Sequence, residues 1–366
     1  MNDSAQPETL DQFREAVLSY EQVLVVGRQT KPALSSTAAP TLSTERLSGI
    51  IQYEPSEFTF TALAGTTIAE IEATLSSRGQ FLPFDPPLSK AGATIGGAVA
   101  AGLSGPGRMR FGGIRDFLLG VRFLSGQGDW IDSGGKVVKN AAGFDLPKFL
   151  VGSLGRYAAM AELTFKVFPA PPSLKTLCVR CASHTQALQR MSAVANSRWE
   201  PYAIDYQPSE HHVLIKLGGP SEAIESISQE IHSHWPGEAD DVADAEAIWS
   251  RVLSLEFADQ RLDTLLKVPT TGKTMVQLCE SLQDQSGVCV HVSLAGQLTW
   301  ISASDAARLR SIETLLLSLG LSGLVVRGEH DCLLGRQVST EMQRAVKTAM
   351  DPGERFPRWP TNPSTD

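Results

Sequence analysis

The chain has 366 residues, 42% of them hydrophobic and 20% charged, enough for two or three domains with substantial cores and ordinary for a soluble globular protein. A formal net charge of −8 argues against nucleic acid as a partner. No apolar run approaches the roughly 18 residues that span a bilayer, and residues 1–11 are polar and acidic, so neither a membrane helix nor a signal peptide is expected and the cytoplasm is the expected location.

Residues 9–19 place Leu10, Phe13, Val17 and Leu18 on one side of a helix. Residues 22–26 form a short apolar strand that runs into Gly27-Arg28-Gln29-Thr30-Lys31. Residues 47–51 and 59–64 alternate as strands, and Gly65-Thr66-Thr67 leads into a helix over 68–77, with Thr67 and Glu70 at capping-box spacing. The chain then reaches Asp85-Pro86-Pro87 and Gly92-Ala93-Thr94-Ile95-Gly96-Gly97. Glycine lets the backbone take positive φ and approach another molecule closely, and successive N–H groups in such a loop can converge on an anion. Ala98-Val99-Ala100-Ala101 favours helix, and a helix start adds free N–H groups. The loop reads as a pyrophosphate cradle with the Thr94 hydroxyl as its cap. On glycine content alone, a structural turn explains it equally well.

Residues 117–125 and 130–132 read as hairpin strands joined by Gly126-Gln127-Gly128. Residues 160–168 are an alternating strand that ends the first domain. Pro169-Ala170-Pro171-Pro172 is a stiff break, giving a domain over 1–170, a second over 171–350 and a tail over 351–366. Residues 100–170 hold nine Lys/Arg against five Asp/Glu, and 171–366 hold 17 against 24. The basic excess suits a dianionic ligand, although solvated surface charge is the commoner cause. The second domain alternates short strands and helices in two groups of similar order, which predicts an antiparallel sheet with helices on one face. Residues 341–350 form a last helix.

The series Pro83-Phe84-Asp85-Pro86-Pro87, Gly92-Ala93-Thr94-Ile95-Gly96-Gly97, Gly102-Leu103-Ser104-Gly105-Pro106, Lys139-Asn140, Gly143-Phe144-Asp145-Leu146 and Gly152-Ser153-Leu154-Gly155 resembles the FAD-binding domain of the p-cresol methylhydroxylase type, in the vanillyl-alcohol oxidase superfamily. Within it, the chain is most similar to the GlcE-like FAD-binding subunits of bacterial glycolate oxidase. The likeness runs over about residues 23–169. It implies an α+β protein in which a two-part FAD-binding domain is followed by an α+β cap domain with an antiparallel sheet. It also implies bound FAD. Gly27 and Thr30 would form one jaw on the cofactor; Pro86, Gly92, Ala93, Thr94, Gly96, Gly97, Gly102, Ser104 and Gly105 the other. Lys139, Asn140, Gly143, Asp145, Gly152 and Gly155 would complete the site, with Lys139 and Asn140 close to the isoalloxazine. The partners implied are a larger FAD-containing glycolate oxidase subunit, an iron–sulfur subunit and a small 2-hydroxy acid, with the inner membrane reached only through the partner subunits. One departure is plain: Arg28 and Gln29 stand where the family carries glycines. Either Arg28 serves as a charged donor or the flavin site is impaired.

All seven histidines lie beyond residue 170, so a histidyl-linked flavin is excluded from the first domain and FAD is expected to be noncovalent. No G-x-G-x-x-G turn with a later acid is present, which disfavours NAD. Cys178-Val179-Arg180-Cys181 has metal-pair spacing, but on a strand positions i and i+3 face opposite sides and no second pair completes a four-ligand site. Neither metal nor iron–sulfur cluster is expected. Oxidising a 2-hydroxy acid needs a base and a carboxylate-binding arginine. His291, Arg327 and His330 are of the right types, but His291 sits in an apolar strand and the other two in a charged strand end, so no catalytic residue is assigned. An enzyme subunit, a structural subunit with an impaired flavin site and a stand-alone FAD-dependent dehydrogenase all stay open.

Overall fold

The element patterns take shape in a computed structural model that describes residues 6–135, 144–258, 262–336 and 340–359. Helix α1 (Leu10–Leu18) starts at Thr9, whose hydroxyl accepts from the Gln12 N–H, and buries Phe13, Ala16 and Val17, while Leu18 stays exposed. Strand β1 (Leu24–Val26) pairs in parallel with β2 (Thr41–Ser43). Strands β3 (Ile50–Glu54) and β4 (Thr59–Leu63) follow, then α2 (Ile68–Ser76), capped by Thr67. After β5 (Gln80–Phe81) comes α3 (Ile95–Ala101). Past the short turn α4 (Arg108–Phe111) come α5 (Ile114–Phe117), β6 (Leu118–Leu124), β7 (Trp130–Gly134), α6 (Leu146–Leu150), β8 (Ala159–Lys166) and β9 (Phe168–Pro169).

The main sheet of this half has the order β3-β4-β8-β6-β7, antiparallel throughout. β8 is central because it alternates, burying Ala159, Ala161, Leu163 and Phe165 completely. Phe165 sits opposite Phe60 in the ladder, their rings stacked at 5.7 Å, and Phe84 packs on Phe165 at 5.9 Å. A second cluster gathers Phe13 and Val17 of α1 with Leu42, Leu124, Ala159 and Phe356.

The second half is one nine-stranded antiparallel sheet built from two βαββαβ groups. The first runs β10 (Ser173–Arg180), α7 (His184–Ala195), β11 (Ala203–Gln207), β12 (His212–Gly219), α8 (Ser221–His234) and β13 (Ala239–Asp241). Helix α9 (Ala245–Leu253) connects it to β14 (Thr264–Pro269), α10 (Gly272–Leu282), β15 (Val288–Ser293), β16 (Leu298–Ala303), α11 (Ala306–Ser318) and β17 (Ser322–Arg327), with β18 (Leu333–Gly335) at the edge. Sheet order is β13-β10-β12-β11-β15-β16-β14-β17-β18, so the groups meet through their second strands, at Tyr206 and Val292. Side chains of α7, α8 and α10 pack on one face with Leu177, Ile204 and Val213. The expectation of helices on one face misses α9, whose Trp249 and Val252 cover Ala203 and Leu214, residues of the opposite parity.

Chain contacts divide the protein into Met1–Ser104 with Gly112–Ala170 and Val338–Asp366, and Gly105–Phe111 with Pro171–Gln337. The proline break therefore marks one crossing of several. Residues 105–111 join the second unit, where Phe111 meets the Tyr202 ring edge-on and Arg110 pairs with Glu200. Helix α12 (Thr340–Met350), placed by the sequence reading in the second domain, returns to the first. The reason is a buried ion pair. The Lys347 ammonium donates to Asp351 Oδ2 at 2.6 Å and to the carbonyls of Arg156 and Phe356, each at 2.7 Å. Asp351 is wholly buried and also accepts from the Phe356 N–H at 2.8 Å. Arg355 donates to the Gly126 carbonyl at 2.7 Å, and Phe356 enters the core beside Phe13. Asp351→Ala strands the Lys347 charge inside the protein and should destabilise the first unit by about 3–5 kcal/mol. Urea unfolding measures this; a loss under about 1 kcal/mol would show that the pair does not fasten the C-terminal segment.

Candidate functional site

The end of β1 delivers the chain into the turn from Gly27 to Lys31, which lies against Thr94 at the start of α3. A Cβ on Gly27 would stand 2.1 Å from the Thr94 hydroxyl oxygen, so no side chain fits there. Thr94 caps α3 by accepting from the Gly97 N–H at 3.2 Å. A cavity of about 70 Å³ opens here, bordered by residues 27–31, Thr94, Gly96 and Gly97 and by the small apolar side chains of Ala64, Ala100, Ala101 and Ala158.

The backbone N–H groups of Gly27, Arg28, Gln29, Thr30 and Lys31 donate to no acceptor among the described residues. Lys31 is only 6% exposed, yet among the described residues its ammonium donates only to the Thr30 hydroxyl, at 3.1 Å. Burial pushes its pKa down from 10.5 to about 8, because an ammonium without an anion is costly away from water. Arg28 is already neutralised by Glu45 at 2.9 Å. Gln29 takes φ 49°, the left-handed region that glycine occupies more readily. The two replacements therefore leave the turn's donors in place, and Arg28 is not the charge waiting for a ligand.

The glycine-rich loop behaves otherwise than a donor cradle. The N–H groups of Gly92, Ala93, Ile95 and Gly96 donate to the carbonyls of Ser89, Leu88, Thr66 and Ala64, and that of Gly97 to Thr94. Gly96 lies within the first turn of α3, where a Cβ would come 2.8 Å from Ala64, so this glycine brings the helix onto the end of β4. Gly102 ends α3 at φ 62°, with the Gly152 backbone 3.0 Å from where a Cβ would be. The buried Ser104 hydroxyl accepts from the Ile114 N–H at 2.9 Å. Asp145 caps α6 and pairs with Lys148, which holds its carboxyl below the usual range.

Of the residues singled out in the sequence, the cavity brings together Gly27, Thr30, Thr94, Gly96, Gly97 and Gly155. Pro86, Gly92, Ala93, Gly102, Ser104, Gly105, Asp145 and Gly152 do not line it. Lys139, Asn140 and Gly143 lie outside the described residues. Lys31 escaped the sequence reading. Its signal was a lysine wedged between the glycine turn and the apolar Pro32-Ala33-Leu34. Five successive N–H groups, a buried ammonium and a cradle closed to any Cβ suit a diphosphate group.

Elsewhere the chemistry is structural. His291 is 3% exposed, bonded to Asp205 at 2.8 Å and stacked under Phe257. Cys178 joins the cluster of α9 and Cys181 that of α7, on opposite faces of the sheet, and burial pushes both thiols up to about 11. No group of three His, Cys, Asp or Glu residues is placed to hold a metal among the described residues.

Lys31 also sets a pH dependence. Below about pH 8 the folded chain carries a buried ammonium; above it the folded chain releases that proton while the unfolded chain keeps it to about 10.5. Stability of the flavin-free protein should therefore rise across this window, by on the order of 3 kcal/mol from Lys31. Lys267, lowered to about 8 by burial, acts in the same window, so the informative quantity is the difference between wild type and Lys31→Met. Equal slopes in thermal melts from pH 7.5 to 10 would refute the assignment.

Residues 5–134 match the FAD binding domain family. The chain is 38% identical over 196 residues to glycolate oxidase subunit GlcE of Escherichia coli, covering 53% of this chain and 55% of that protein. It is 28% identical to glycolate oxidase subunit GlcD of Bacillus subtilis, over 58% of this chain and 48% of the other. It is 26% identical to a D-lactate dehydrogenase of Archaeoglobus fulgidus, over 55% and 45%. The chain thus spans about half the length of the curated relatives it matches. A structure of alkyldihydroxyacetonephosphate synthase superposes with a TM-score of 0.68 over 96% of this chain and 76% of that one, at 16% identity, which shows the α+β fold. Residues 5–134 are thus similar to an FAD binding domain, and the cofactor is FAD.

Proposed function

We propose that this chain is the FAD-binding subunit of a complex that oxidises glycolate, or a similar 2-hydroxy acid, to the 2-oxo acid and passes the electrons to a partner chain. The observation that carries the reading is the cavity at the end of β1, bordered by a turn whose backbone N–H groups, like the buried Lys31 ammonium, have no anionic or carbonyl partner among the described residues, in a space that no Cβ at Gly27 could share. Likeness to glycolate oxidase subunits supports the substrate class, and the separate names of GlcE and GlcD support a multi-chain assembly. When bound, FAD supplies the electron-accepting ring; the residues of this chain hold its diphosphate. His291, buried and bonded to Asp205, is not an accessible base, which favours a chain that shares the reaction with another subunit. The reading includes an iron–sulfur subunit as the next electron carrier. No helix among the described residues is long and apolar enough to cross a membrane, and any membrane contact in this reading is made through partners.

Two outcomes are expected. The purified chain takes up one FAD that acid precipitation releases; pigment retained on the precipitate would contradict noncovalent binding, and a chain that stays colourless after incubation with FAD would overturn the flavin reading. Gly97→Asp, which puts a carboxylate at the cavity, should weaken FAD binding at least about 100-fold while circular dichroism stays near wild type. Dye reduction with glycolate and D-lactate tests the assembly. Turnover is expected only with co-expressed partners, and turnover by the chain alone at roughly 1–1000 s⁻¹, the ordinary range for enzymes, would make it self-sufficient.

A further inference from the structure

Of the two basic residues that border the cavity, Arg28 and Lys31, Lys31 has no anionic partner among the described residues. Arg28 is held by Glu45, both groups being about two-fifths exposed. Lys31 is 6% exposed and among the described residues meets only a hydroxyl. An ammonium sealed in this way destabilises the empty protein, a cost that an anion entering the cavity would relieve. We propose that Lys31 is a diphosphate-binding residue: its ammonium pairs with a phosphate oxygen of the bound dinucleotide and makes the site select flavins by their phosphate charge rather than by the ring. The Thr30 hydroxyl, 3.1 Å from the ammonium, positions it in the empty state. Gln29 and Arg28 sit in the same turn without taking part, which accounts for side chains being tolerated at both positions.

The inference rests on the flavin reading, and the ligands chosen separate the two. FAD, ADP and riboflavin are titrated into wild type, Lys31→Met and Arg28→Ala, followed by flavin fluorescence and calorimetry. FAD and ADP share the diphosphate; riboflavin has none. Lys31→Met removes the charge but keeps an unbranched chain of similar length, so its apo form should melt no lower than wild type at pH 7. It should lose roughly 10- to 100-fold in affinity for both FAD and ADP, the range of one charge-assisted contact, with riboflavin affinity unchanged. Arg28→Ala should change FAD affinity by less than about threefold.

Equal FAD affinity in wild type and Lys31→Met would overturn the assignment. So would a loss for riboflavin as large as that for FAD, because it would mean a collapsed cavity. Should wild type bind ADP but not FAD, and Lys31→Met lose ADP, the role of Lys31 stands while the flavin reading falls.

Discussion

The contact between Gly27 and Thr94 decides most of what the first unit can do. One residue ends the approach from β1 and the other begins α3, and the space between them is too small for a methyl group. This contact brings the turn of residues 27–31 onto the helix start. It occupies the Thr94 hydroxyl on both sides, as helix cap and as the surface that Gly27 rests on. Lys31 then goes under because the chain continues directly into the buried pair Ala33 and Leu34. The cavity is thus a by-product of close packing between a strand end and a helix start, not of a flexible loop.

Much of this was legible in the sequence, and what was not has a common cause. Element patterns for α1, α2, β4 and β8 follow from apolar spacing and caps, which are local. The glycines were visible too, but a glycine in a sequence does not say which partner needs the space. Gly96 answers to Ala64, Gly102 to Gly152, and Gly27 to Thr94, each a contact between segments distant in the chain. Hydrogen bonding is equally non-local. The glycine-rich loop has spent its N–H groups on Ser89, Leu88, Thr66 and Ala64, whereas the turn that had lost two glycines kept its own. The sequence alone does not show that the turn bearing Arg28 and Gln29 keeps its N–H groups without an acceptor among the described residues, or that Lys31 is buried.

The second unit illustrates how a duplicated pattern is joined. Its two βαββαβ groups meet at a single strand-to-strand pair, Tyr206 with Val292. Beside that pair, Asp205 accepts from the His291 ring and from the Ser293 hydroxyl, both at 2.8 Å. Three polar side chains, all nearly inaccessible, reinforce a junction that backbone pairing covers thinly. The sequence showed the two groups and their order. It could not show that the histidine among them belongs to the seam, since that depends on which strands become neighbours.

The return of residues 351–356 to the first unit has a consequence during synthesis. Phe356 completes the cluster around Phe13, the Val23 N–H donates to the Arg355 carbonyl, and Asp351 holds Lys347 inside. Lys347, Asp351, Arg355 and Phe356 leave the ribosome after the whole second unit. Domains usually fold in the order they emerge, but here the amino-terminal unit has to wait, with an apolar surface open, for the last part of the chain. The second unit, Gly105–Phe111 with Pro171–Gln337, has left the ribosome in full before Asp351 is made and can close first, so the order of folding runs against the order of translation.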